Sequence, residues 1–203
     1  MPTIKTSGTP VTQSPHGTIA CLLASGFEDS EFDIPRQRLA QAGYQVEVIG
    51  NKVGDELKGD KGRITTKVAR AIDDAKPEDY EGLLIPGGHS PDTLRADPRF
   101  VSFVRAFDQT KRPLAAVCHG PQLLIAAGLV KGRTLTAWQT IQDDLKQIGA
   151  QVEDEPVVVD DNWITSRKPA DLDAFSAKVI EELRELEGRG LWPQSESPAQ
   201  MSV

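Results

Sequence analysis

The run Leu114-Ala115-Ala116-Val117-Cys118-His119-Gly120 constrains this chain more than any other stretch. A short apolar segment leads into a cysteine on a small-residue turn, and Pro121-Gln122-Leu123-Leu124-Ile125-Ala126-Ala127 then reads as a helix. Strand, sharp turn and helix form the elbow that exposes a nucleophile at the carboxyl end of a sheet, where open α/β sheets place their sites. Gly120 removes a Cβ where the turn needs room, and Pro121 suits the first helical turn. A helix N-terminus beside the sulfur favours the thiolate. The same pattern also fits a small cysteine packed into a core.

Strand and helix patterns alternate around the elbow. Thr18–Ala24 is an apolar strand, and Asp29–Ala42 carries helical spacing ended by Gly43 as a C-cap. Pro35 either kinks that helix or sits early in it. Tyr44–Gly50 is a second strand, residues 50–62 read as turn and hairpin, and Gly82–Ile85 is a third strand ending at Pro86-Gly87-Gly88. Helix 98–110 carries a core stripe of Phe100, Val101, Phe103, Val104 and Phe107. Beyond the elbow come strand 134–137, helix 138–148, a hairpin-like pair around Asp160-Asp161-Asn162, and a last helix opened by Pro169 and running to about Leu186. This alternation predicts βαβ units and a mainly parallel sheet covered on both faces. One domain over 18–187 is expected, flanked by tails at 1–17 and 188–203 rich in Pro, Ser, Thr, Gly and Gln.

A formal net charge of −7 argues against a nucleic-acid partner, since phosphate binding wants a basic face. Two cysteines, Cys21 and Cys118, make no disulfide framework. The polar N-terminus has no apolar signal core, and no apolar run approaches the ~20 residues that span a bilayer. A soluble, reducing, cytoplasmic setting without a membrane partner is the expectation.

Three segments should converge at the carboxyl edge of the sheet: the Cys118 elbow, Ser25–Asp29 after the first strand, and Pro86–Asp92 after the third. Gly88 and His119 could aim their N–H groups at a developing oxyanion. Gly87-Gly88 also reads as an ordinary strand-exit turn. Glu28, if partly buried and protonated, could donate a hydrogen bond to the thiolate. With Asp29 and Glu31 it also reads as helix-start charge, and Asp29 or Ser30 as the N-cap. Only His16, His89 and His119 exist. Nothing after His119 can supply a late-chain histidine, so His119 is the base if any histidine is. His89 reads as an exposed loop residue. Cys21 reads as core, and Trp138 and Trp163 as packing residues, Trp138 being placed where it could wall a pocket. No metal-ligand spacing and no nucleotide motif is present, so no cofactor is expected.

Gly26-Phe27-Glu28-Asp29, Pro86-Gly87-Gly88, Ala116–Gln122 and Asp161–Arg167 with Pro169–Leu172 together resemble the PfpI family of intracellular peptidases and protein deglycases. That family lies in the class I glutamine amidotransferase-like superfamily. The resemblance covers about Thr18 to Leu186. It implies a flavodoxin-like three-layer α/β sandwich, Cys118 as nucleophile, His119 as its neighbour and Glu28 as the carboxyl holding the thiol. It also implies that Asp92, where the family usually has Glu, completes the site from a neighbouring subunit, which makes the active unit a homodimer or larger. The implied substrates are small aldehydes, glycated proteins or short peptides, giving a deglycase, glyoxalase or peptidase of the stress response. A different reading of the same oxidisable cysteine is a sensor or chaperone without turnover.

Overall fold

The computed structural model describes residues 16–189, and nearly all of the tails read at 1–17 and 188–203 lies outside them. The chain runs β1 (Gly17–Leu22), α1 (Asp29–Gln41), β2 (Tyr44–Gly50), β3 (Glu56–Lys58), β4 (Thr65–Lys67), β5 (Arg70–Ala71) and β6 (Gly82–Ile85). Then follow α2 (Ser90–Arg95), α3 (Pro98–Gln109), β7 (Leu114–Val117) and α4 (Pro121–Ala126). The remainder is β8 (Thr134–Leu135), α5 (Gln139–Ile148), β9 (Gln151–Val152), β10 (Val157–Asp160), β11 (Trp163–Ser166) and α6 (Leu172–Gly188).

Seven strands form the central sheet in the order β10-β11-β7-β6-β1-β2-β5. Neighbours pair in parallel except β10, which runs antiparallel to β11. Period-2 alternation along these strands sorts their side chains into two cores. Ala20, Leu22, Leu83, Ile85, Leu114 and Ala116 face one way, onto Phe103, Val104 and Phe107 of α3 and Leu123 and Leu124 of α4. Ile19, Cys21, Leu84, Ala115 and Val117 face the other way, onto Phe32 and Leu39 of α1 and Phe175, Val179 and Leu183 of α6. Burial on both faces explains why β6 and β7 are uninterrupted apolar runs. The architecture is the three-layer sandwich expected, and Cys21 sits in its core.

Several local readings change. The strand expected at 134–137 stops at Leu135, which pairs with Val152 in a separate small sheet. Thr136 leaves the ladder because its N–H donates to Thr165 Oγ1 at 2.9 Å, and Trp138 N–H then donates to Cys118 O at 2.9 Å. The hairpin expected within 50–62 is built from β3 and β4, so its turn lies at 59–64. Pro169 opens a 3-10 turn, and the last helix starts at Leu172. The segment Pro86–Asp92 runs into the short helix α2.

That hairpin turn is docked by Asp29. Its carboxylate accepts the N–H groups of Lys61 (2.9 Å), Arg63 (2.8 Å) and Ile64 (2.7 Å), so Asp29 is not the cap of α1. Burial disfavours the charged form, yet these three N–H groups hold the carboxyl below the ordinary Asp range. Stability from this group is therefore present above the unfolded value of about 4 and fades as pH falls through the lower native value. Asp29→Ala is expected to lose about 2 kcal/mol or more at neutral pH, because buried donors are left unpaired. Acid unfolding of the variant should then start from a lower plateau with a shallower pH dependence; equal stability at pH 7 would refute the docking role.

Candidate active site

Cys118 ends β7 on a backbone that only a tight turn imposes. Its φ is +60°, a conformation non-glycine residues rarely hold without a reason in the surrounding structure. Its N–H donates to Ser166 O at 3.0 Å, and its carbonyl accepts from Trp138, so both neighbouring segments clamp the turn. Gly120 is required as expected: a Cβ there would stand 2.5 Å from Ile85 O. The sulfur therefore sits at the carboxyl edge of the sheet, at the floor of a cleft of about 510 Å³.

The three predicted segments do meet there. Gly88 adopts φ +74°, and a Cβ on it would come within 2.4 Å of Gly26 O, so only glycine fits this approach. The N–H groups of His119 and Gly88 both point at the Cys118 sulfur and favour its charged form. Two donors converging on one point are the hardware of an oxyanion hole. His119 Nδ1 lies 3.3 Å from Sγ, and its ring tilts against Trp138 at 6.3 Å between centroids. Burial first, and the charge of His89 second, depress the His119 pKa, which keeps the imidazole neutral near pH 7. Trp138 does wall the cleft.

The carboxyl at the sulfur is Glu31, not Glu28. Glu28 is the N-cap of α1: its Oε2 accepts from Glu31 N at 2.9 Å and Ser30 Oγ at 2.5 Å, and its Oε1 pairs with Lys61. An N-cap side chain folds back onto its own helix end, which turns Glu28 away from the thiol. Glu31 is fully buried one turn in. Its Oε2 accepts the Gly87 N–H at 2.9 Å, its Oε1 has no hydrogen-bond partner in geometry, and its carboxyl faces Cys118. Gly87 makes room for this: a Cβ would sit 2.5 Å from Glu31 Oε2 and 2.8 Å from Cys118 Cβ. A sequence signal existed. Glu31 lies on the helical stripe of Phe32, Pro35 and Leu39, all buried, so it is an acid on an apolar face.

Burial and the nearby Glu28 charge push the Glu31 carboxyl up to about 7, against the favourable contacts of Cys118, Gly87 and Lys61. Burial, then the negative charge of Glu31, push the Cys118 thiol up as well, against the N–H groups of His119 and Gly88. This runs against the expectation that the helix N-terminus beside the sulfur favours the thiolate; α4 spans only Pro121–Ala126. The two acids bear on each other, so where a proton sits on the pair decides the charge each one meets. When that proton rests on Glu31, the charge opposing the thiolate is gone and the carboxyl becomes a donor.

Asp92 lines the cleft but is turned onto Arg95, with Oδ1 2.9 Å from Arg95 Nε. Within one chain it does not complete His119. His89 is exposed as expected, with Nδ1 3.6 Å from Asp60 of the hairpin turn. Pro169 of the matching segment also lines the cleft, as does Asp60, which was not singled out in the sequence. Among the described residues, no group of three or more His, Cys, Asp or Glu could hold a metal ion. No described helix is long and apolar enough to cross a membrane.

The DJ-1/PfpI family profile matches residues 17–182. The chain belongs to the DJ-1/PfpI family. It is 46% identical over 163 residues to protein/nucleic acid deglycase 2 of Escherichia coli K12, covering 80% of this chain and 95% of that protein. A two-domain Anabaena variabilis protein with DJ-1/ThiJ/PfpI-like and ferritin-like domains matches at TM-score 0.80 and 36% identity. That match covers 91% of this chain and 52% of the other, so this chain spans about half of the cyanobacterial protein. Schizosaccharomyces pombe DJ-1 matches at TM-score 0.73 and 21% identity, over 87% of this chain and 100% of that one, and shares the fold.

Proposed function

We propose that this protein is a cysteine-dependent stress-protective enzyme acting on reactive 2-oxoaldehydes and their early adducts with protein side chains. The observation that carries the reading is the Cys118 sulfur, set on a strained elbow between a buried carboxyl and two backbone donors. The similarity to a deglycase agrees with it.

In this reading the Cys118 thiolate adds to the aldehyde carbon, and the carbonyl electron pair moves onto oxygen beside the N–H groups of Gly88 and His119. Glu31 holds the proton that would otherwise quench the sulfur. Neutral His119 takes the proton from the sulfur-bearing carbon as the neighbouring carbonyl becomes an enediol, then returns a proton to that neighbouring carbon while the hydroxyl on the sulfur-bearing carbon loses its own, which turns the hemithioacetal into a 2-hydroxy thioester without an external oxidant. Water then cleaves the C–S bond and restores the thiol. Early amine adducts that release the aldehyde into the cleft are drained by the same steps.

The cleft lining carries Glu28, Glu31, Asp60 and Asp92 but no Lys or Arg. Phosphate finds no counter-charge there, so adducts on protein side chains should turn over faster than those on nucleotides. A homodimer or larger assembly in the cytoplasm belongs to the same proposal. In it, Asp92 of a second copy would have to leave Arg95 before it could pair with His119.

The test is a side-by-side assay of methylglyoxal loss, reversal of methylglyoxal–arginine adducts and peptide cleavage. Cys118-dependent turnover of the first two is expected. Peptide cleavage without carbonyl turnover would replace the reading with a peptidase, and no turnover in any assay would favour the sensor.

A further inference from the structure

The Glu31–Cys118 pair does not stand alone electrostatically. Its nearest outside charges come from Glu28 on the same helix end and from Lys61 on the β3–β4 hairpin. Lys61 Nζ sits 2.5 Å from Glu28 Oε1, while Glu28 Oε2 accepts the Glu31 N–H at 2.9 Å. One carboxylate thus joins the hairpin turn to the first turn of the helix that carries Glu31. The turn cannot drift freely, because Asp29 clasps the N–H groups of Lys61, Arg63 and Ile64, and Asp60 N–H donates to Phe27 O at 2.7 Å.

We infer that Lys61 is a positioning residue for the chemistry of Cys118: its ammonium offsets the Glu28 carboxylate, which would otherwise press its charge on Glu31. Lys61 does not itself line the cleft; it pairs there with Glu28. It acts through Glu28, and the inference rests on the reading of Cys118 as the reactive thiol.

The charges around each partner fix the sign. Glu31 faces Glu28, Lys61 and Cys118, with the Gly87 N–H on its Oε2. Cys118 faces Glu31 and His119, and His119 feels His89, itself beside Asp60. Lys61 has Arg63 and Asp29 as its other charged neighbours. Removing the ammonium leaves Glu28 unopposed next to Glu31. Glu31 then keeps its proton to higher pH, the charge that opposes the thiolate appears later, and the reactive sulfur forms at lower pH.

The experiment is the pH dependence of Cys118 alkylation by iodoacetamide in the full chain, with the modified peptide located by mass spectrometry. Lys61→Met should move the profile to the acid side by on the order of half a pH unit. Lys61→Arg should match wild type, and Lys61→Met/Glu28→Gln should move back toward it. A Lys61→Met profile that coincides with wild type would overturn the inference. So would a Lys61→Arg profile shifted as far as Lys61→Met, since that would trace the effect to loop geometry. If Lys61→Met fails to fold, Glu28→Gln alone decides: an alkaline shift is expected, and no shift refutes. The readout needs no substrate. A shift without carbonyl turnover removes the proposed function and leaves this inference standing; turnover without a shift does the reverse.

Discussion

Cys118→Ala is expected to remove carbonyl and adduct turnover almost completely, with a fall in kcat on the order of 10⁴-fold or more. The oxyanion donors and the cleft stay in place, so substrate binding should change far less than kcat. Folding should survive. Alanine keeps the clamps made by the Cys118 backbone to Ser166 and Trp138 and tolerates the φ of +60° about as well as cysteine does. Cys118→Ser is expected to be almost as inactive, because an unactivated hydroxyl is a much weaker nucleophile at neutral pH than a thiolate. Turnover by the alanine variant near the wild-type rate would place the chemistry elsewhere in the protein.

Glu31→Gln carries the second large effect. Glutamine can keep contact with the Gly87 N–H but cannot take up or return the proton shared with sulfur. We expect kcat/KM to fall by about 10²–10³-fold, in the range of a lost acid–base group. Its effect on stability has a definite sign. Glu31 is raised to about 7, so its favourable contribution is present below its ordinary unfolded value and is lost as pH rises through about 7. Relative to wild type, Glu31→Gln should therefore gain stability between pH 5 and pH 8, by on the order of 3 kcal/mol at most. Parallel stability curves for the two proteins across that range would mean that Glu31 is not held neutral by burial.

The elbow and its supports were legible in the sequence because they rest on covalent and steric rules. Gly120 and Gly88 stand where a Cβ collides with backbone, and Cys118 follows a run that two-sided burial explains. The sheet and its layers followed from the alternation of apolar runs with the stripe Phe100–Phe107. The carboxyl was misplaced because three acids, at 28, 29 and 31, stand at one helix start, and all satisfy the same end-charge rule. Only their angles about the helix separate them: Glu28 caps, Asp29 docks the hairpin, and Glu31 turns inward to Gly87 and Cys118. Lys61 was invisible because a hairpin contact across 33 positions leaves no local periodicity. The shortened strand at 134 has the same origin, since the Thr136 N–H leaves the ladder for a side chain 29 residues away.

Ultraviolet titration of the Cys118 thiolate in wild type and Glu31→Gln, with Cys118→Ala as the blank, tests the hold of Glu31 on the sulfur most directly. Burial and the Glu31 charge both disfavour the thiolate, so in wild type its signal should rise only above the ordinary cysteine range, and in Glu31→Gln the inflection should move to lower pH. A wild-type Cys118 that titrates like the thiol of the unfolded chain, with no change on replacing Glu31, would contradict the account.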